Sequence, residues 1–249
     1  MTYDDYFTQW SSKKKSAKHF AHTYLEKPAI WSLLDKANYD SILDLGCGSG
    51  EEIPSLLKHA KSVTGLDSSD GLLNIARLNN PMVKFITQDL NTDPVIEGFY
   101  DLIFSSLTLH YIKNWDYLLK GIYNALNKGG ELIFSTHHPI KWGSETEKNK
   151  EYNEFLLGYK KVKNSDKDYI VYGDYLNTYE IKEKLFQQLD ITHYNRPISA
   201  MIKSFHNAGF RIVAMLEPTP IIESKSVVLD FYEVHSRIPL FLVWKLVKE

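Results

Sequence analysis

The chain has 249 residues, of which 43% are hydrophobic, enough for one large core, so we expect a single α/β domain over 1–249. A formal net charge of -2 gives no electrostatic reason to expect a nucleic-acid partner, and the longest apolar stretch, "PLFLVW", is too short to cross a bilayer. The single cysteine excludes an intrachain disulfide and fits a reducing compartment, so we expect a cytoplasmic protein. We also expect a monomer or homodimer without membrane contact.

Short apolar runs alternate with helical patterns in the first half of the chain, which is typical of a parallel sheet covered by helices on both faces. Five such runs predict strands at 41–45, 62–67, 83–89, 100–106 and 131–136. Helices are predicted between them at about 51–59, 71–78 and 115–126. The "NKGG" that follows the third helix predicts a left-handed glycine cap.

The regular alternation stops over residues 137–195, which are rich in tyrosine and lysine. Parts of this segment, such as "DYIVYGDYLNTYEIKEKLF", alternate between polar and apolar residues and predict antiparallel strands. A helix follows between Pro197 and Gly209, and strands are predicted at 210–217 and 238–247. The sequence therefore predicts one doubly wound sheet with an insertion after its fifth strand.

Small and polar residues stand where the predicted parallel strands end. Three glycines, Gly46, Gly48 and Gly50, follow the first strand, and their missing side chains let the backbone approach a ligand closely. Asp67 ends the second strand, where a carboxylate can accept hydrogen bonds from both hydroxyls of a ribose, and Asp89 ends the third strand. Ligands of doubly wound sheets bind at this edge, so we expect the site there.

Two cofactors use this ribose-binding arrangement, a nicotinamide dinucleotide and S-adenosylmethionine. The dinucleotide motif needs a third glycine where this chain has Glu51, so that a helix N-terminus can meet the pyrophosphate. Glu51 and Glu52 would repel that pyrophosphate, whereas S-adenosylmethionine has no phosphate and brings two positive groups. The glutamates favour S-adenosylmethionine, although acids are also ordinary residues in a first helical turn.

Five segments occur in an informative order: "ILDLGCGSGE", "GLDSSDGLLNIA", "QDL", "YDLIFSSLTLHYI" and "LNKGGELIFS". Together they resemble the class I S-adenosylmethionine-dependent methyltransferases of the small-molecule, methyltransferase type 11-like kind. The resemblance implies a Rossmann-like, seven-stranded sheet that is mostly parallel with an antiparallel last strand, and a substrate cap at 137–195. It also implies methyl transfer from S-adenosylmethionine to a small-molecule acceptor, with S-adenosylhomocysteine as the product.

The resemblance implies two groups of cofactor contacts, of which the first surrounds the methionine end. Gly46, Cys47 and Gly48 would line the methionine portion through their backbone. Asp44 resembles the acid that meets the ammonium group, and Ser105, after the fourth strand, would lie under the methionine end.

The second implied group surrounds the adenosine. Asp67 would bind the ribose hydroxyls, and Ser68 and Leu72 would enclose the nucleoside. Asp89 would accept a hydrogen bond from the adenine amino group, while Leu90 would pack on its ring.

The aromatic N-terminal segment is similar to the helical lid of these enzymes, here residues 1–35. Tyr6, Phe7 and Trp10 would close over the cofactor, and Tyr6 and Trp10 are also candidates for contact with the acceptor. Alternatively, these rings only pack on the domain.

Methyl transfer from a sulfonium is an in-line displacement, so alignment supplies much of the acceleration, and a base is needed only if the acceptor must lose a proton. His110 is the candidate base, or else a structural anchor of its loop, and Tyr111, His137 and His138 are candidate acceptor contacts. Adjacent histidines on an extended chain point in opposite directions, so we expect no metal site.

The insertion is unusually aromatic, with Trp142 and four tyrosines, Tyr172, Tyr175, Tyr179 and Tyr194. These rings, Tyr175 in particular, could wall the acceptor site or form a satellite core under a cap. Arg196 could bind an acceptor carboxylate or form an ordinary surface salt bridge.

Other functions remain open from the sequence. A DNA amino-methyltransferase would show a proline- and aromatic-rich motif where this chain has "FSSLTLHY". A non-catalytic S-adenosylmethionine-binding or sensor protein would have the same cofactor residues, and a dinucleotide oxidoreductase is the weaker alternative. The acceptor atom is not decided by the sequence.

Overall fold

A computed structural model describes residues 20–34, 38–148, 153–162, 169–185 and 189–249. The strands of this part are β1 (Tyr39–Leu45), β2 (Ala60–Asp67), β3 (Lys84–Thr87), β4 (Tyr100–Ser105), β5 (Leu126–His137), β6 (Glu145–Lys148), β7 (Asn153–Leu156), β8 (Gly158–Lys161), β9 (Tyr169–Tyr172), β10 (Tyr179–Leu185), β11 (Leu189–Asn195), β12 (Phe210–Leu216) and β13 (Phe241–Lys248). The α-helices are α1 (Lys27–Ser32), α2 (Ile53–Leu56), α3 (Asp70–Asn79), α4 (Trp115–Ala125), α5 (Pro139–Trp142), α6 (Ile198–Ala208) and α7 (Leu229–His235).

Seven strands form one sheet in the order β12-β13-β5-β4-β1-β2-β3. β13 is antiparallel to both of its neighbours, and the other pairings are parallel. The predicted Rossmann-like, doubly wound sheet with an antiparallel last strand is therefore confirmed.

The described part of the insertion after β5 contains three antiparallel hairpins, β6-β7, β8-β9 and β10-β11, as its alternating pattern predicted. The two strands within the quoted tyrosine-rich stretch do not pair with each other. β9 pairs with the strand that precedes it in sequence, β8, whereas β10 pairs with the strand that follows it, β11.

Two predicted helix boundaries are wrong. The helix expected at 51–59 is only α2, because residues 57–59 turn to bring β2 beside β1, where the Tyr39 N–H donates to the His59 carbonyl. The helix before "NKGG" does not end on a glycine cap. α4 ends at Ala125 and Leu126 is already extended, so Gly129, with φ +74°, lies in the irregular start of β5 instead.

The core lies on both faces of the sheet, and the central strand β4 contributes to each half. Ile103 packs with the side chains of α4 and α6, whereas Leu102 and Phe104 pack with those of α1 and α2. A strand that is buried on both faces needs this nearly continuous apolar sequence. None of the helices in the described ranges is long and apolar enough to cross a membrane.

A buried ion pair connects the far end of the sheet to the N-terminal helix. Lys245 Nζ lies 3.4 Å from Glu131 Oε2, which also accepts a hydrogen bond of 2.8 Å from Tyr39 Oη. The same ammonium donates to the Leu33 carbonyl, just after α1. This interaction joins β13, β5 and β1 on the side away from the carboxyl ends of the parallel strands.

We expect Lys245→Met to lower the free energy of unfolding by about 3 to 5 kcal/mol, because it removes the cation that faces the buried Glu131 carboxylate. Urea denaturation measures this change. Lys203→Met, at an exposed position of α6, is the matched control and should change little. The double variant Lys245→Met/Glu131→Gln should recover part of the loss; if the single variant is as stable as the control, the ion pair contributes nothing.

Candidate active site

A cavity of about 620 Å³ opens at the carboxyl ends of the parallel strands. Its wall comes from the loops after β1, β2, β3, β4 and β5, including residues 46–49, 66–68, 88–91 and 106–108. This is the edge at which doubly wound sheets bind ligands, and the volume is within the range of small-molecule sites.

The glycine-rich turn after β1 forms one side of the cavity. The N–H groups of Gly46 and Cys47 both donate to the Leu66 carbonyl, which holds the turn against β2. Gly46 has φ +78°, and a Cβ there would lie 2.1 Å from Thr108 Oγ1, so this position requires glycine. At Gly48, with φ +52°, a Cβ would meet only Leu72 at 4.0 Å, so this part of the backbone faces open space.

Asp67 connects the glycine turn to the start of α3. Its Oδ2 accepts from the Gly48 N–H and its Oδ1 accepts from the Ser69 N–H, each at 2.9 Å. These bonds hold the carboxylate in the cavity wall, at the position predicted for ribose binding.

Asp44, at the end of β1, is a buried acid in the cavity wall. Asp44 is only 3% exposed, and its Oδ2 has no hydrogen-bond partner in the described part of the chain. Burial and the negative charges of Glu52 and Asp67 raise the pKa of Asp44 well above its usual range. A cation bound beside it would favour its ionised form.

Cys47 lies in the same wall. Burial, with the nearby charges of Asp44 and Asp67, raises the pKa of its thiol, so Cys47 is a neutral side chain and not a nucleophile.

The residues predicted for the adenosine line the cavity together. Asp67, Ser68 and Leu72 come from β2 and α3, and Asp89 and Leu90 from the loop after β3. The Asp89 carboxylate accepts from the Asn91 N–H at 2.9 Å, while Leu90 is buried and also packs in the core.

The sequence did not predict a hydrogen-bond network that lies at the end of the cavity where the methionine portion is expected. It starts in a π-helical turn, His22–Glu26, before α1. The fully buried Glu26 carboxylate accepts from Ser106 Oγ, from Ser135 Oγ and from His22. The signal in the sequence was slight: a histidine and a glutamate four positions apart, just before an apolar helix.

Glu52 continues this network from the other side. It accepts from Lys27 Nζ at 2.7 Å and from Trp31 Nε1 at 3.0 Å, and it lies 3.6 Å from His22 Nε2. Burial opposes the charge of His22, but the hydrogen bonds and charges of Glu26 and Glu52 outweigh it and raise its pKa to about 9. The cavity wall therefore includes a histidine that is positively charged at neutral pH.

Ser105 does not lie where it was predicted. It is fully buried, and its hydroxyl donates to the Leu45 carbonyl at 2.7 Å. Alternate residues of a strand point in opposite directions, so Ser106 reaches the cavity wall instead.

His110, Tyr111 and His137 also line the cavity, together with Trp142 from the insertion. The ring centroids of His110 and His137 are stacked 3.8 Å apart, and the Trp142 ring stacks on His137 at 4.9 Å. These contacts place the candidate base among aromatic rings at the predicted acceptor end.

Three predicted acceptor contacts lie away from the cavity wall. His138 Nδ1 accepts from the Ile140 N–H, and its Nε2 lies 2.9 Å from Glu217 Oε1, so it caps α5. Tyr175 is half-buried beside Gly143. Arg196 does not line the cavity and forms no surface salt bridge in the described part of the chain, because it is buried and its Nη2 donates to the carbonyls of Ile112 and Lys113.

Trp142 of the insertion lines the cavity, whereas the four predicted tyrosines do not. Tyr179 Oη donates to the Trp142 carbonyl, and Tyr172 and Tyr194 are not part of the cavity wall. Tyr6, Phe7 and Trp10 lie outside the described residues, as does most of the predicted lid at 1–35. Within the described ranges, no three His, Cys, Asp or Glu side chains form a metal site.

Comparison with known proteins adds independent information. A family model described as "Methyltransferase domain" matches residues 43–134. An uncharacterized protein of Haemophilus influenzae is 30% identical over 252 residues, which cover 96% of this chain and 93% of that protein. A malonyl-[acyl-carrier protein] O-methyltransferase of Buchnera aphidicola is 30% identical over 49% of each chain. The solved structure of an S-adenosylmethionine-dependent methyltransferase from Mesorhizobium loti matches 89% of this chain and 97% of that one, with a TM-score of 0.71 at 25% identity.

The raised pKa of His22 predicts a pH-dependent contribution to stability. Because its folded-state pKa of about 9 exceeds the ordinary 6.5, the contribution is complete below pH 6.5 and is lost as the pH rises through 9. Relative to His22→Gln, the wild type should be more stable by about 1 to 3 kcal/mol near pH 6, and this advantage should shrink toward zero near pH 10.

Urea denaturation at the two pH values measures this difference. His206→Gln, at an exposed position of α6, is the control and should show no such pH dependence. A difference between wild type and His22→Gln that stays constant with pH would contradict the assignment of charge to His22.

Proposed function

We infer the function from family membership: the chain belongs to the class I S-adenosylmethionine-dependent methyltransferases. We propose that it transfers a methyl group to a small-molecule acceptor. The relative that is a malonyl-[acyl-carrier protein] O-methyltransferase matches only 49% of this chain, so its acceptor is not carried over.

The observation that carries the proposal is that one cavity has two chemically different ends. By the strand order, the side at β1 and β2 holds the glycine turn, Asp44 and Asp67, and the side at β4 and β5 holds His110 and Trp142. A methyl donor bound at the first end would leave space beside it for a small molecule, which is the arrangement that an in-line transfer needs.

The residues of the first end fit S-adenosylmethionine. Asp44 has a buried oxygen without a partner in the described residues, and an ammonium group would satisfy it. The Gly48 backbone borders open space, and Asp67 stands at the edge of β2, where the ribose hydroxyls would lie. We propose that Ser68, Leu72, Asp89 and Leu90 enclose the adenosine.

When bound, the cofactor supplies an electrophilic methyl group on a sulfonium, whose sulfur departs as a neutral thioether. The chain's own contribution would be alignment, with Gly46 and Thr108 forming part of the wall that holds the donor. We propose His110 as the group that receives a proton from acceptors that must lose one.

We further propose that the insertion at 137–195 acts as a cap on the acceptor. Its support is that Lys141, Trp142, Glu183 and Lys184 all come from this segment and line the cavity. A cap of this kind would exclude water from the acceptor end and select the acceptor by size and charge.

Incubation of the protein with methyl-labelled S-adenosylmethionine and fractionated metabolites tests the function. We expect label in a small-molecule fraction, with one S-adenosylhomocysteine formed for each methyl group transferred. Label in a protein or RNA fraction would refute the small-molecule acceptor. Cofactor binding without any labelled product would instead support a non-catalytic binding protein.

We expect Asp67→Ala to weaken S-adenosylmethionine binding by about 1 to 3 kcal/mol, the usual scale for losing hydrogen bonds to a charged group. Isothermal titration calorimetry measures the dissociation constant. Asp40→Ala, at the exposed start of β1, is the matched control and should bind normally. Unchanged affinity in a folded Asp67→Ala protein would exclude this aspartate as a cofactor ligand.

A further inference from the structure

The charged side chains of the cavity wall differ between the glycine-turn side and the insertion side. Around the ends of β1, β2 and β3 the wall holds five acids and one histidine, namely Asp44, Glu51, Glu52, Asp67, Asp89 and His22. At the insertion end it holds Lys141, Glu183 and Lys184. The acceptor end therefore carries the lysines of the wall.

Two of these three charges already have partners. Lys184 Nζ lies 3.7 Å from Asp190, and Glu183 Oε1 lies 4.0 Å from His193 Nδ1. Lys141 has no carboxylate within 4.0 Å in the part of the chain that the structure describes. Its Nζ lies instead over the rings of Trp142, at 4.9 Å from the centroid, and Phe155, at 5.5 Å.

The surroundings of Lys141 destabilise the charged form of its side chain. The side chain is half-buried on α5, and burial lowers its pKa, although the more distant charge of Glu183 acts in the other direction. Contacts with ring faces compensate a desolvated ammonium only in part. An anionic partner would stabilise the charged form much more strongly.

Trp142 adds a second donor at the same place. Its ring lines the cavity beside His137, and its indole Nε1–H is buried without a hydrogen-bond partner in the described residues. Buried donors in folded proteins are nearly always paired, so this group indicates an acceptor atom that the described residues do not provide.

These donors are separate from the residues expected to hold the cofactor. Lys141 and Trp142 follow β5, which lies two strands away from β1 in the order β5-β4-β1. Two strand spacings are about 10 Å, so the two donors lie on the β5 side of the cavity, away from the glycine turn and Asp67.

We propose that Lys141 and the Trp142 indole N–H bind an anionic oxygen group, a carboxylate or a phosphate, of the methyl acceptor. The substrate class is then small molecules that are negatively charged at neutral pH. This inference rests on the proposed function, and it adds the charge of the acceptor and the residues that select it.

The first test uses the unaltered protein. A metabolite pool is separated on an anion-exchange resin at neutral pH, and each fraction is incubated with the protein and methyl-labelled S-adenosylmethionine. We expect the label in the retained, anionic fraction. Treating that fraction with alkaline phosphatase beforehand distinguishes the two groups, because only a phosphate-bearing acceptor would be lost.

The second test uses variants of the two donors with the labelled acceptor. We expect Lys141→Met to raise the KM for the acceptor about 10- to 100-fold, and Trp142→Phe about 10-fold, with the Kd for S-adenosylmethionine unchanged. Lys141→Arg should keep part of the affinity. The control is Lys160→Met, at an exposed position of β8 in the same insertion, which should behave as wild type.

The outcomes separate this inference from the proposed function. Label in the unretained fraction overturns the inference and leaves the methyltransferase function intact, as does a folded Lys141→Met protein with the KM of the control. A changed cofactor Kd in Lys141→Met would place the lysine at the cofactor instead, which also overturns it. No label in any small-molecule fraction refutes the proposed function, and the inference with it.

Discussion

The buried carboxylate of Glu26 is the constraint on which the shape of the cavity depends. Because it is cut off from water, it must receive hydrogen bonds from the protein, and its donors come from the loop after β4, from β5 and from His22. Ser135, one of these donors, also accepts from the Leu107 N–H, which holds Leu107 at φ +51°, a strained value for leucine. The next residue, Thr108, packs against Gly46. A single carboxylate thus positions the loop after β4 against the glycine turn.

The sheet and the glycine turn could be predicted because their signals are local. Asp67 was located by its position at the end of a strand, and it lies in the cavity wall. Glu26 could not be found in this way, since its serine donors are 80 and 109 positions away in sequence. The errors at Ser105 and His138 have a different cause: each is one residue from a cavity-lining neighbour, and a shift of one residue in an extended chain reverses the direction of the side chain.

The two ends of the cavity have complementary electrostatic roles under the proposals made above. The acidic end would attract a cationic methyl donor, and the lysine end an anionic acceptor. Opposite charges on the two ligands would then draw their reacting atoms together across the loop after β4, with His110 beside them. The protein would obtain part of its alignment from the charges of its ligands and would need fewer direct contacts to the reacting atoms.

The position of β13 in the sheet determines when the sheet can be completed during synthesis of the chain. β13 lies between β5 and β12 although it follows both in sequence, so β12 cannot join the sheet before β13 has been synthesised. Until then the apolar edge of β5 is unpaired while the chain is still on the ribosome. An exposed strand edge of this kind can pair with other chains, so the protein is most prone to aggregate in the interval before β13 joins the sheet.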